Sequence, residues 1–202
     1  MKPLRQIENV IMAVSVPSNV RLAHARQIIS LSHSPEPMTM ILHKGTMAVY
    51  RNNDNLLMRH IKGTMILGLN ELMDINKGVY LKAEGNACYE LIPTRSFFTI
   101  VERDNLWKDV AYLLMFSAKR LAESYETSAG LSTYELIKAN LIGLMDEDEY
   151  IRLNISACDY IQEKTNLSRS RIMAILRELK IGGYIDLSKG VLNRINKLPL
   201  KF

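Results

Sequence analysis

Two cysteines in 202 residues, Cys88 and Cys158, are too few and too far apart for a disulfide framework or a zinc site, so a reducing compartment is expected. No apolar run reaches membrane-spanning length, and the first residues lack the charged, apolar and small-residue order of an export signal. A soluble cytoplasmic protein without a membrane partner is the expectation. Catalytic patterns are missing as well. There is no Ser-His-acid order and no phosphate-cradling glycine loop, and His24, His33, His43 and His60 have no metal-ligand spacing, so no enzyme, metal or cofactor is expected. His43 and His60 fall on predicted strands, where satisfied or exposed histidines are the rule. The acidic run Asp146-Glu147-Asp148-Glu149 has no His or Cys beside it and reads as a solvated turn.

What the chain does have is 48% hydrophobic residues and a formal charge of +5. The charge is unevenly placed. From Tyr150 onward ten Lys and Arg face four Asp and Glu, and an excess of six positive charges is the footprint of a polyanion binder.

Within that basic segment, Tyr160 to Leu179 reads as two short helices joined by a tight turn. Ile161 and Thr165 lie four apart on the first helix, and Leu167 sits in the turn. Ile172, Ile175, Leu176 and Leu179 form an apolar stripe on the second. Ser168 is a suitable N-cap. Arg169, Ser170 and Arg171 then occupy the first turn, the part of a recognition helix that enters the major groove, where Arg pairs bidentately with guanine. Gly182-Gly183 ends this helix, and Tyr184–Ser188, Lys189-Gly190 and Val191–Ile195 read as strand, two-residue turn and returning strand. The order is that of a winged helix-turn-helix. Arg169, Ser170 and Arg171 are the candidates for base edges, and Ser168, Lys164, Arg177 and Lys189 for phosphates.

Upstream, short apolar or alternating runs predict strands at 27–31, 38–42, 46–50, 56–61, 65–67, 79–83 and 87–92, with Gly85-Asn86 as a hairpin signal. Their spacing predicts an antiparallel barrel or jelly roll. Leu4 to about Val16 reads as a short helix. From Arg103 to Tyr125 the period is helical over a stretch without Gly or Pro. Leu106, Val110, Leu113, Leu114, Ser117 and Leu121 lie on one broad side, and this width predicts a dimerisation spine. Ser128-Ala129-Gly130 breaks the pattern, and Ser132 caps a further helix to Met145.

In this order of elements the chain resembles the CRP/FNR superfamily of transcription regulators. Leu167-Ser168-Arg169-Ser170-Arg171-Ile172 is similar to that family's recognition-helix start, Lys44 to Arg51 to its Gly-x-small-x-apolar hairpin, and Leu67-Gly68-Leu69-Asn70-Glu71 stands where Phe-Gly-Glu is common. More narrowly, Leu106-Trp107-Lys108, Tyr184-Ile185 and Ile195 to Pro199 resemble a peroxide-linked enterobacterial subgroup. The resemblance implies an α+β chain: a cyclic-nucleotide-binding-type β jelly roll over 1–102, a long dimerisation helix over 103–129 and a winged helix-turn-helix over 130–202. It implies a homodimer on double-stranded DNA, with RNA polymerase as a further partner.

The departures limit what carries over. No Arg occurs between Gly68 and Arg95, so a cyclic nucleotide's phosphate lacks its bidentate partner, and the absence of cysteine before Cys88 excludes an N-terminal iron–sulfur ligand set. Gln162 stands where Gly or Ala is usual, and Asn166 where Gly is common in the turn. Ser170 and Ala174 replace residues that often read bases. The competing expectation is an interaction module that pairs with an intact regulator and reads no DNA. Steep salt dependence of duplex binding separates the two.

Overall fold

Short apolar and alternating runs between residues 21 and 93 build two four-stranded antiparallel sheets in the computed structural model, which describes residues 2–31, 36–69, 78–126 and 131–200. The strands are β1 (Arg21–Ala23), β2 (Ile28–Ile29), β3 (Met38–Lys44), β4 (Thr46–Arg51), β5 (Leu57–Lys62), β6 (Met65–Leu67), β7 (Val79–Ala83) and β8 (Ala87–Pro93). One sheet has the order β1-β8-β3-β6 and the other β2-β7-β4-β5. This is a jelly-roll-type double sheet. Met40 and Leu42 on β3, Met47 on β4 and Ala83 on β7 are fully buried in a common core.

Two turns differ from expectation. Gly85-Asn86 and Lys44-Gly45 were expected to close paired hairpins, yet β7 and β8 belong to different sheets, as do β3 and β4. Each turn is a corner from one sheet to the other. Gly45 suits such a corner because its φ is +100° and a Cβ there would lie 2.7 Å from the Ala87 Cα.

Helix α1 (Leu4–Val14) buries Ile7, Val10 and Val14, an i, i+3, i+7 stripe, in the same core. Helix α2 (Thr94–Arg103), which the sequence reading missed, packs against α1, β3 and β8. The long helix expected from Arg103 begins instead at Trp107 as α3 (Trp107–Glu126). Asn105 takes φ +53°, which Asn tolerates better than most residues, and the Leu106 N–H reaches back to the Val101 carbonyl to close the end of α2. His43 is satisfied. Its Nε2 lies 3.0 Å from a carboxylate oxygen of buried Glu90, which also accepts from the Ser15 hydroxyl and the Val16 N–H.

The chain forms two compact units, Met1–Ala122 and Glu123–Phe202. The second contains α4 (Thr133–Met145), α5 (Glu149–Asn154), α6 (Ala157–Lys164), α7 (Arg169–Ile181), β9 (Ile185–Ser188) and β10 (Val191–Ile195). Ser132 and Glu135 form a reciprocal capping box at the start of α4. Helix α5 was not anticipated. Ile137, Leu141 and Leu144 of α4 meet Tyr160 and Ile161 of α6, Ile172, Leu176 and Leu179 of α7, and Ile185 and Leu192 of the β9–β10 ribbon. Burial of each such side chain contributes about 1.5–3 kcal/mol.

His33, residues 70–77 after the Leu67-Gly68-Leu69 segment, the Ser128-Ala129-Gly130 break and Lys201 lie outside the described residues. Among those described, no helix is long and apolar enough to cross a membrane.

Candidate nucleic-acid interface

Helix α6 begins at Ser156, whose hydroxyl accepts the Asp159 N–H at 3.0 Å and donates to the Asp159 carboxylate at 2.6 Å. At its end Thr165 takes an extended backbone and is buried. Its hydroxyl donates to the Ile161 carbonyl at 2.7 Å, closing the turn by hydrogen bonding rather than apolar packing. Asn166 keeps a negative φ, so the turn makes no use of the left-handed tolerance that Asn offers. Gln162 is exposed, and a small residue is not required there for close helix approach.

Ser168 caps α7 by accepting the Arg171 N–H at 3.4 Å, and its hydroxyl lies 3.2 Å from that of Ser170. Helix formation from Arg169 onward buries Ile172, Leu176 and Leu179 and leaves Arg169, Ser170, Arg171 and Arg177 exposed. Arg169 is tethered. Its guanidinium contacts the Asp159 carboxylate at 2.5 Å, with both side chains roughly half exposed. The Ser156 hydrogen bond first, and Arg169 second, hold the Asp159 carboxyl below the usual carboxylate range.

The helix ends at two glycines, of which Gly183 takes the left-handed backbone that favours glycine. A Cβ on Gly182 would sit 2.5 Å from the Tyr184 ring, Gly183 has φ +70°, and the Tyr184 N–H closes onto the Leu179 carbonyl. The following ribbon pairs Ile185 with Ile195 and Leu187 with Leu192, with an irregularity at Asn193. Lys189 (φ +50°) and Gly190 (φ +87°) form its tip, both in the left-handed region as a type I′ turn requires. The Gly190 carbonyl accepts the Ala157 N–H at 2.8 Å, so the wing tip is anchored to the start of α6 while Lys189 remains exposed.

The six residues Ser168, Arg169, Ser170, Arg171, Arg177 and Lys189 therefore lie exposed on α7, its cap and the wing tip. Lys164 does not join them. Its ammonium lies 3.3 Å from the Glu147 carboxylate and 2.5 Å from the Tyr160 hydroxyl, with one-fifth of the side chain exposed. Burial lowers the Lys164 pKa and the Glu147 charge opposes that shift, as expected for a structural cation. Lys164 is thus corrected from phosphate contact to interior ion pair. The same cluster corrects the acidic turn: Glu147 also accepts the Tyr160 hydroxyl at 2.7 Å, and so is not simply solvated.

The expected dimerisation stripe divides in two. Val110 and Leu113 are fully buried in the core of their own unit, which makes them unavailable to a second chain. Leu106 and Ser117 are half-buried, whereas Leu114 and Leu121 are 46% and 63% exposed beside exposed Met115. Sequence reasoning missed Asp159 as the countercharge to Arg169. No spacing rule links a carboxylate early in α6 to a guanidinium ten positions later.

Residues 133–200 match the family model described as winged helix-turn-helix DNA binding. Over its whole length the chain is 29% identical to 98% of the inhibitor of hydrogen peroxide resistance of Escherichia coli K12. It is 26% identical, over 88% of its length and 86% of the relative's, to the protein of that name from Salmonella typhimurium LT2. Structural neighbours include a CRP/FNR-family regulator. The c-di-GMP responsive global regulator CLP of Xanthomonas campestris superposes with a TM-score of 0.74 at 13% identity, covering 97% of this chain and 100% of the other. A CRP/FNR-family transcriptional regulator from Thermus thermophilus superposes with a TM-score of 0.65 at 18% identity, covering 88% and 93%. The chain thus shares the CRP/FNR fold and carries a winged helix-turn-helix DNA-binding domain, which is the equipment of a transcription regulator.

Proposed function

We propose that the chain acts as a cytoplasmic homodimer that reads double-stranded DNA with α7 and grips the backbone with its wing, regulating transcription in the oxidative-stress setting named for its relatives. The observation that carries this reading is the capped, solvent-facing first turn of α7, with Arg169, Ser170 and Arg171 in a row and Lys189 raised on the adjacent I′ turn. Arg169 and Arg171 supply the bidentate geometry that guanine edges need, and Ser170 a shorter contact. Arg177 and Lys189 supply phosphate contacts, and the Ser168 hydroxyl, already engaged as a cap, adds the exposed edge of the helix start. RNA polymerase is a further partner in this reading. No step of this reading uses a bound cofactor or a catalysed reaction.

The test is duplex binding across a salt series. Wild-type protein should lose affinity steeply as salt rises, because displaced counterions drive phosphate contacts. Arg169→Ala should weaken a selected operator roughly ten- to a hundredfold and random duplex far less. Lys189→Ala should weaken both and lower the salt slope by about one. Salt-independent binding, or none, would favour the interaction module over the DNA reader.

A further inference from the structure

A groove of about 400 Å³ runs between α7 and the wing, within the size range of small-ligand sites. Its floor is apolar. Cys158 and Leu176 are almost fully buried there, Leu187 is half-buried, and Met173 on α7, itself 47% exposed, lines the groove as well. The mouth is cationic, lined by Arg177, Lys180 and Lys189. Lys180 spans it, donating from its ammonium to the Leu187 carbonyl at 3.0 Å. The one carboxylate in the lining, Asp159, is already engaged by Arg169 and Ser156. A DNA phosphate would answer the charge at the mouth but would leave the apolar floor against water. A neutral apolar molecule would cover the floor and leave the cations unanswered. One occupant satisfies both: an anion with an apolar body.

We propose that this groove binds a small amphipathic organic anion, of the class of a medium-chain carboxylate, and that this ligand and DNA exclude one another. The second half rests on the DNA reading given above, because Arg177 and Lys189 would serve the ligand's head group and the DNA backbone in turn. Control would then act at the reading head itself, where occupancy neutralises the wing side of α7.

Octanoate is the probe, with octanol as its neutral counterpart and acetate as the head group without a tail. In the full-length protein without DNA, methionine methyl resonances are followed during titration, and the Met173 methyl is assigned by its loss in Met173→Leu. Octanoate should move this signal saturably, while octanol and acetate at equal ionic strength should not. Lys180→Gln should weaken octanoate about tenfold, since the mouth loses a point charge while an amide keeps the strap to Leu187. Leu187→Trp, which fills the groove from the wing side and keeps the Met173 probe, should abolish the response. In a separate assay, octanoate at ten times its own dissociation constant should weaken random-duplex binding about tenfold, as simple exclusion requires. An unmoved Met173 methyl, or an equal response to octanol, would overturn the site. Saturating octanoate without effect on bound duplex would overturn the exclusion. A protein that takes octanoate yet never binds duplex would overturn the exclusion together with the DNA reading, leaving the groove itself intact.

Discussion

Lys164, Tyr160 and Glu147 decide whether α6 is held against the turn before α5, and each depends on the other two. The Tyr160 hydroxyl donates to Glu147 and receives the Lys164 ammonium, whose charge also lies 4.4 Å over the Tyr160 ring. Lys164→Met should leave the salt slope of duplex binding unchanged and cost about 1–3 kcal/mol in urea unfolding, because a largely buried carboxylate loses its cation. A reduced salt slope with unchanged stability would return Lys164 to the phosphate contacts. Tyr160 adds a pH signature. Burial above all, then the Glu147 charge and hydrogen bond, push its pKa far upward. The folded chain keeps this proton where the unfolded chain releases it, so the associated stability is intact below about pH 10 and falls as pH rises beyond it. Lys164, with its pKa lowered by burial, runs in the opposite direction and remains in both proteins when Tyr160→Phe is compared with wild type. The variant should therefore be less stable near neutrality, and the gap should narrow in alkaline unfolding curves. A gap that widens with pH would mean that the hydroxyl is not the group being titrated.

Helix α3 shows why an apolar stripe by itself does not name its partner. Val110 and Leu113 share the stripe with Leu114 and Leu121, yet the first two fill their own unit's core and the last two face outward. Leu114→Glu or Leu121→Glu should give a monomer in sedimentation while the first unit stays folded. Leu113→Glu should unfold that unit, since it places a charge in an apolar core. If both outward variants remain dimeric, the seam lies off this helix. The same comparison sets what was legible in the chain. Ser168, the α7 stripe and Lys189-Gly190 were readable because capping, helical period and I′ geometry are local. The strands from β3 to β8 were readable as short apolar or alternating runs, but their partners were not: Gly45 and Gly85 look alike at hairpins and at corners. Helix α2 was hidden because its start follows Pro93 with no side-chain cap. The Asp159–Arg169 and Glu147–Lys164 pairs were hidden because they join elements whose approach only packing determines.

At the scale of the molecule, a C-terminal unit that is basic from Tyr150 onward and a jelly-roll-type unit raise the question of where a peroxide signal would enter. The relatives' name makes a thiol switch attractive, and Cys88 and Cys158 are the free cysteines available for it. Neither is placed for the role. Cys158 is 4% exposed, and burial raises its pKa; the pull of Arg169 in the other direction is the smaller effect, so its thiolate is scarce at neutral pH. Cys88 is half-buried on β8, paired in register with Leu22 of the edge strand β1 and with Lys44 of β3. Cys88 belongs to the first unit and Cys158 to the second. Under the function proposed above, a role like that in the relatives' name would run through the genes regulated and through ligand occupancy or protein amount, with the thiols as bystanders. A Cys88→Ser, Cys158→Ser double variant should bind operator with wild-type affinity, and peroxide should leave the affinity of the wild-type protein unchanged. A reversible, reductant-sensitive change in wild type that disappears in the double variant would place the sensor in this chain after all.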